Sequence, residues 1–269
     1  MTEKHSKSLA EYSGEDEVIS GHEMALWLNE GRETVIKVKS MIPGLDQALD
    51  GGFEAGELYG TSGPTKAGKT LLCQTLTANF ARQQYPSLWF SFEVPARQFL
   101  SQFPELPLIY LPAKLKAHAL PWVEDRIAES FQKFRTRIIF IDHLHFLFDM
   151  ARSRNPSLEI GTVIRKLKTL AVSQGFIIFL LCHTVKGKSE SNLSYESIRD
   201  SSFISQESDS VLMIKRTPEK GENAARLRVE FHRRTGILEK VVDLIKIDGY
   251  LQEQAYHEEN GPRRKDWDE

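Results

Sequence analysis

The feature that most constrains the fold of this chain is the segment GPTKAGKT, which runs from Gly63 to Thr70. In this pattern, glycine, four further residues, glycine, lysine and threonine form a loop whose backbone N–H groups surround phosphate oxygens. Such a loop needs a strand before it and a helix after it. ELYGTS before the loop is typical of a short strand, and Leu72, Leu76 and Phe80 after it have helical spacing. The sequence therefore predicts an α/β fold that binds phosphate.

The loop predicts both nucleotide contacts and a magnesium site. Lys69 can reach the β- and γ-phosphates of ATP, and the Thr70 hydroxyl can ligate Mg²⁺. A second acidic ligand should come from the end of a neighbouring strand, and RIIFID supplies Asp142. The alternative is that Asp142 only caps the next segment. The expected nucleotide-binding residues are Gly63, Pro64, Thr65, Lys66, Ala67, Gly68, Lys69 and Thr70.

A carboxylate that activates water is also needed if the phosphate is to be cleaved. The buried strand predicted in SLWFSFE ends at Glu93, which can hold water opposite the leaving phosphate. Many strands end in glutamate, so this position alone is weak support. The order of the motifs is stronger support, because Glu93 lies between the phosphate loop and Asp142 in the chain.

From Glu57 onwards, apolar strands alternate with amphipathic helices, which predicts a mainly parallel sheet with helices on both faces. The last strands, RLRVEFH and KVVDLIKI, are predicted to be antiparallel and to pair around Arg234 to Gly236. We expect an N-terminal tail with a short helix and linker at 1–40, an ATPase domain at 41–252 and a charged tail at 253–269. The helix should span about Gly21 to Asn29 after a Ser20 and Glu23 capping box.

Composition excludes several classes of protein. A net charge of −2 and a pI near 6.5 do not indicate a generally basic, nucleic-acid-binding surface. The apolar run Phe176–Cys182 is too short to cross a bilayer, and no secretory signal is visible. Cys73 and Cys182 lack metal-ligand spacing and are expected to be reduced core residues. These features favour a cytoplasmic protein without a membrane partner.

The order of these motifs resembles the RecA-like ATPase domain of the DnaB-type replicative helicases, a group that includes the phage primase-helicases and the mitochondrial helicase Twinkle. The likeness extends over roughly residues 41 to 250. It is carried by IPGLDQALDGGFEAGELYGTSGPTKAGKT, WFSFEVPARQFL, IIFIDHLHFL, FLLCHTVKG, IRDSSFISQESDSVLMIKR and VEFHRRTG. The resemblance implies a RecA-like P-loop NTPase that uses ATP and Mg²⁺.

The resemblance also implies residue roles. Glu93 matches the glutamate that activates water, and His183 matches the residue that senses the γ-phosphate. Arg233 matches the arginine finger, which enters the nucleotide site of a neighbouring subunit in a homo-oligomeric ring, usually a hexamer; Arg234 is the alternative for this contact. The residue-based alternatives are a structural histidine at 183 and arginines on the solvated face of a strand. A metal site at His143 and His145 is disfavoured because no further ligands have suitable spacing.

Single-stranded DNA is the polymer partner that the resemblance implies, held by loops that face a central channel. The first candidate loop, DMARSRNPS, carries Arg152 and Arg154. The second, KGKSESNLSYESIRD, carries Lys186, Lys188 and Arg199, although its acidic residues weaken its basic character. The alternative is that these side chains are only solvated. A primase, a loader or other replication proteins are further expected partners, in a bacterial, phage or plasmid context.

Two departures from the family affect the expected activity. About forty residues precede the ATPase domain, too few for the DnaB collar or a fused primase, and Phe231 replaces a lysine found in many relatives. The second hypothesis is a non-unwinding RecA-like ATPase, either a recombinase, a loader or a signalling ATPase of the KaiC kind. A nucleotide-gated binding module with little turnover is the third. A small-molecule kinase is disfavoured because no acceptor-binding lid is apparent.

Overall fold

The computed structural model describes residues 13–14, 17–30, 35–116, 120–147, 156–182 and 201–254. The chain divides into two compact units, Met1–Val35 and Ile36–Glu269. The first unit contains the helix α1, Gly21–Glu30. Its predicted capping box is confirmed, because the Ser20 backbone N–H donates to Glu23 Oε2 at 2.8 Å and the Glu23 N–H donates to Ser20 Oγ at 3.1 Å.

The second unit contains the strands and the remaining helices. The strands are β1 (Lys37–Val38), β2 (Phe53–Glu54), β3 (Leu58–Ser62), β4 (Ser87–Ser91), β5 (Ile109–Tyr110), β6 (Ile138–Asp142), β7 (Ile177–Leu181), β8 (Ser210–Arg216), β9 (Ala224–His232), β10 (Ile237–Ile247) and β11 (Tyr250–Glu253). The helices are α2 (Pro43–Ala48), α3 (Lys69–Arg82), α4 (Ala96–Leu100), α5 (Leu120–Phe134), α6 (Pro156–Gln174) and α7 (Ser201–Glu207), with 3₁₀ turns at Leu144–Leu147 and Pro218–Lys220.

Within the described ranges, nine strands form one sheet in the order β11-β10-β9-β8-β3-β7-β6-β4-β5. The strands from β8 to β5 are parallel, and β8 to β11 pair antiparallel. The predicted α/β fold with antiparallel strands at its C-terminal end is therefore confirmed. The connections after β3 and β7 leave in opposite directions, which opens a crevice at the carboxyl ends of these two strands.

Apolar side chains cover both faces of the parallel strands, as the uninterrupted apolar runs predict. On one face, the rings of Trp89, Phe140 and Phe179 stack in series with centroid separations of 4.5 Å at each step. On the other face, buried residues of α5 and α6 pack against the sheet; they include Val123, Ile127, Ile164 and Leu167. Cys73 and Cys182 are buried free thiols, as predicted.

Several local elements differ from the sequence expectation. The predicted helix in PARQFLSQF is limited to α4, although Phe99 and Phe103 are both buried with ring centroids 5.4 Å apart. The helix α7 lies in a segment whose polar sequence gave no helical pattern. β1 pairs with β2, so the second unit begins before residue 41. None of the helices in the described ranges is long and apolar enough to span a membrane.

Candidate active site

The phosphate loop connects β3 to α3, which begins at Lys69 directly after the loop glycines. Gly63, Lys66 and Gly68 all have positive φ angles, of 153°, 64° and 101°. A Cβ atom on Gly63 would lie 2.1 Å from the Ile214 carbonyl oxygen on β8. Glycine is therefore required at this position both for its φ angle and for the close approach of the two backbones.

Lys69 lies against the inner side of this loop. Its Nζ atom donates to the carbonyl oxygens of Gly63 at 2.8 Å and Pro64 at 2.9 Å. Burial lowers the pKa of Lys69, while the nearby charges of Asp142 and Glu93 act in the opposite direction. Phosphate oxygens can replace the two carbonyls as partners of this desolvated ammonium group.

Asp142 ends β6, and its residue surface is only 2% exposed. Thr70 Oγ1 lies 3.3 Å from Asp142 Oδ2, so a hydroxyl and a carboxylate meet beside the phosphate loop. Burial raises the pKa of Asp142 to about 6, and the charge of Glu93 adds to the rise, whereas Thr70 and Lys69 oppose it. A buried carboxylate next to a hydroxyl oxygen fits a Mg²⁺ ion, whose charge would favour the ionised form.

Glu93 lies two residues beyond the end of β4, and its side chain is 47% exposed. One ligand atom each from Glu93, Asp142 and His143 lie within 4.8 Å of one another, which is close enough to hold a metal ion. His143 Nδ1 is 3.6 Å from Glu93 Oε2. The sequence argument missed this group because it paired His143 with His145. The position of His143 directly after a strand-end aspartate was the available signal.

Arg233 and Arg234 lie in the turn between β9 and β10, beyond the end of the strand that could have presented them as a solvated face. Arg233 is exposed, and its Nη2 atom donates to the Ser205 and Gln206 carbonyls of α7. Arg234 is half-buried, and its Nε atom donates to Glu57 Oε1 at 2.9 Å. The structure thus places the two adjacent arginines in different surroundings.

This turn and the phosphate loop lie at opposite edges of the sheet. His232, which precedes the turn, pairs with Ser210 at the amino end of β8, and Ser210 pairs with Tyr59 near the start of β3. The phosphate loop follows the other end of β3. The five residues of this strand span about 16 Å. The structure therefore brings together Lys69, Thr70, Glu93 and Asp142 but keeps both arginines away from them.

Several predicted site residues lie outside the described part of the chain, namely Arg152, Arg154, His183, Lys186, Lys188 and Arg199. Their proposed roles stay predictions. Phe231 is half-buried and packs against the apolar cluster that includes Val211 and Met213.

Comparison with known proteins gives two family matches and two structural relatives. Residues 111–248 match the family model of the DnaB-like helicase C terminal domain, and residues 38–108 match that of the KaiC ATPase. The solved ATPase domain of a helicase has a TM-score of 0.75 at 15% sequence identity, covering 88% of this chain and 99% of that chain. A DnaB-like replicative helicase that interacts with primase has a TM-score of 0.71 at 16% identity, covering 88% and 67%. At these identities, the structural likeness shows the fold.

Proposed function

Because the chain belongs to the DnaB-like helicase C-terminal domain family, we propose that it is an ATP-driven helicase or translocase that acts on single-stranded DNA. Its RecA-like fold, shown by the sheet order and the structural relatives, supports this proposal. The observation that carries it is the separation of the hydrolytic residues from Arg233 by the length of the sheet. A second copy of the chain is needed to bring these parts together.

The residues around the phosphate loop are suited to hydrolysis of the γ-phosphate. Lys69 would bind the β- and γ-phosphate oxygens and stabilise the charge that develops on them. Glu93 is exposed enough to contact a water molecule, and its carboxylate would accept the proton as the water attacks phosphorus. Mg²⁺, held by Thr70 and Asp142, would neutralise phosphate charge when bound. His183 follows β7 at the same edge of the sheet and would sense the γ-phosphate.

A homo-oligomeric ring, in our proposal a hexamer, would complete each nucleotide site at an interface between subunits. A head-to-tail arrangement places the turn of one subunit beside the phosphate loop of the next. Arg233 would then stabilise the transition-state charge in the neighbouring site, and hydrolysis would depend on assembly. Phe231 cannot supply the cationic contact that lysine makes at this position in many relatives.

The same edge of the sheet would face the DNA. β6 and β7 are parallel to β3, so the connections that follow them leave the sheet on the side of the phosphate loop. These connections contain the predicted DNA contacts, which are Arg152, Arg154, Lys186, Lys188 and Arg199. Sequence-independent phosphate contacts would suit a protein that moves along a strand.

We propose that the ATPase domain spans 41–252, between an N-terminal segment at 1–40 and a charged tail at 253–269. Helix α1 would dock on a neighbouring subunit, because four of its apolar side chains are well exposed: Met24, Leu26, Trp27 and Leu28. A primase, a loader or another replication protein is the proposed external partner.

A strand-separation assay on forked DNA with ATP and Mg²⁺ tests this function. Lys69→Ala should abolish unwinding. Glu93→Gln should lower DNA-stimulated hydrolysis about 10²- to 10⁴-fold while ATP binding persists, because it removes only the proton acceptor. Glu105→Gln, at an exposed carboxylate between α4 and β5, is the matched control and should behave as wild type. Absence of both unwinding and DNA-stimulated hydrolysis in every assembly state would rule out the proposal.

The match of residues 38–108 to the KaiC ATPase favours a second candidate function, a RecA-like ATPase that does not unwind DNA. Such a protein would act as a recombinase, a loader or a signalling ATPase. Electron micrographs with a non-hydrolysable ATP analogue and single-stranded DNA separate the candidates. Rings support the helicase, whereas filaments or strand-exchange activity support the alternative.

A further inference from the structure

The side chain of Arg234 is held by several acceptors within its own subunit. Its Nε atom lies 2.9 Å from Glu57 Oε1 and 3.2 Å from Glu54 Oε2. Its Nη2 atom donates to the carbonyl oxygens of Leu49 at 2.9 Å and Gly52 at 3.2 Å. The planar guanidinium fork therefore joins the β9–β10 turn to the segment between α2 and β3. A group engaged at this many points is poorly placed to reach into another subunit.

Glu57 is the acidic centre of this arrangement, and its side chain is only 10% exposed. The Tyr59 hydroxyl donates to Glu57 Oε2, and the Glu54 backbone N–H lies 3.3 Å from the same oxygen. His232 Nε2 is 3.5 Å from Glu57 Oε1. Burial alone would raise the pKa of Glu57, but the hydrogen bonds from His232, Arg234 and Tyr59 outweigh it and lower the pKa to about 2. The carboxylate is thus ionised and fully engaged at neutral pH.

Thr235 provides a second attachment on the other side of the turn. Its hydroxyl donates to the Ala48 carbonyl at 3.1 Å and lies 2.9 Å from His232 Nδ1. Arg233 sits between the attached residues, and its backbone N–H donates to the Asp209 carbonyl at 2.8 Å. The backbone on either side of Arg233 is therefore fixed, whereas its side chain is exposed.

We propose that Arg234, Glu57 and Thr235 form an anchor that positions Arg233 for insertion into the nucleotide site of the neighbouring subunit. This inference rests on the proposed function, in which Arg233 acts between subunits. It assigns adjacent arginines to different tasks, because one holds the turn and the other makes the contact. The physical benefit is preorganisation, since a fixed turn presents the guanidinium group without an ordering cost at each catalytic cycle.

Arg234→Lys tests the anchor because it keeps the positive charge but loses the fork that reaches four acceptors. In assembled rings with Mg²⁺, ATP and poly-dT, we expect kcat to fall about ten- to hundredfold, with little change in KM. Arg226→Lys is the matched control. Arg226 also forms an ion pair between β9 and β10, with its Nε atom 2.9 Å from Asp243 Oδ1, but it lies at the other end of the hairpin. This control should retain wild-type kcat.

Mixed rings distinguish positioning from general damage. Arg234→Lys subunits have an intact phosphate loop and a poorly held finger, whereas Lys69→Ala subunits have the reverse. Random equimolar mixing pairs the two intact parts at about a quarter of head-to-tail interfaces. We therefore expect the mixture to hydrolyse ATP faster than either variant alone. If Arg234→Lys lowers kcat and mixing restores nothing, the defect is a general one and the anchor role is wrong.

Two further variants make every outcome decisive. Arg233→Ala must lose hydrolysis and recover it on mixing with Lys69→Ala; full activity of Arg233→Ala alone would overturn the proposed function itself. Loss and recovery with Arg233→Ala, combined with wild-type kcat for Arg234→Lys, would overturn the anchor only. If Arg234→Lys does not assemble, Thr235→Val decides, because it removes one hydroxyl and should lower kcat about two- to fivefold. Unchanged kcat in Thr235→Val would then refute the anchor.

Discussion

Replacement of Asp142 by asparagine should stabilise the nucleotide-free protein at neutral pH while removing a metal ligand. Burial, followed by the charge of Glu93, raises the pKa of Asp142 from 3.8 to about 6 in the folded chain. The folded state therefore binds this proton more tightly than the unfolded state does. The resulting stability is fully present below pH 3.8 and is lost as pH rises through about 6. Asparagine is neutral at every pH and avoids this loss.

The size of the effect follows from the two pKa values. The difference, 6 − 3.8 = 2.2, corresponds to at most about 3 kcal/mol at about 1.36 kcal/mol per pH unit. Roughly half of this loss is already present at pH 5, and the rest, about 1.4 kcal/mol, develops by pH 7.5. The Asp142→Asn amide oxygen can still accept a hydrogen bond from Thr70. We therefore expect the variant to gain about 1–3 kcal/mol over wild type at pH 7.5, with a smaller gain at pH 5.

Urea denaturation at pH 5 and pH 7.5 in EDTA measures this difference. Asp243→Asn is a control of opposite sign: burial would raise the pKa of Asp243, but its hydrogen bonds to Arg226 and Lys220 lower it. That variant should lose stability relative to wild type, and its deficit should shrink on acidification. Addition of Mg²⁺ and ADP should reverse the advantage of Asp142→Asn, because only aspartate gains from the cation. An equal loss of stability in Asp142→Asn at both pH values would refute the reasoning.

Three further predictions concern the loop, the anchor and the N-terminal helix. Gly63→Ala should lower the free energy of unfolding by about 2 kcal/mol or more and weaken ATP binding, because the new Cβ would overlap the Ile214 carbonyl; denaturation and nucleotide titration measure both, and wild-type values would contradict the prediction. Wild-type Glu57 stabilises the fold above pH 4.5, and this contribution is lost as pH falls towards about 2. The advantage of wild type over Glu57→Gln, on the order of 2 kcal/mol at pH 7, should therefore shrink in urea denaturation at pH 3, and a constant difference would argue against the ion pair with Arg234. Trp27→Ala should shift sedimentation towards smaller assemblies without changing the melting temperature of the monomer, whereas unchanged assembly would exclude docking through this face.

Local sequence was sufficient for the general fold and for the parts of the site that follow individual strands. The predicted α/β fold and family are confirmed, because the phosphate loop can form only between a strand and a helix. Thr70, Glu93 and Asp142 could be predicted as neighbours, since parallel strands end at the same edge of a sheet. Their catalytic roles stay predictions. Helix α7 was missed because its short polar sequence has no amphipathic pattern and depends on tertiary packing.

The tertiary structure alone decided how the two adjacent arginines differ and which residue accompanies Glu93. Arg234 meets Glu57 across 177 positions of sequence, and no local pattern encodes that distance. His143 approaches Glu93 because β4 and β6 are adjacent in the sheet although they are separated in the chain. Periodicity reports which side of a strand or helix is buried, but hydrogen-bond partners depend on which strands become neighbours. The sequence therefore determined the residues available for chemistry, and the sheet order determined which of them meet.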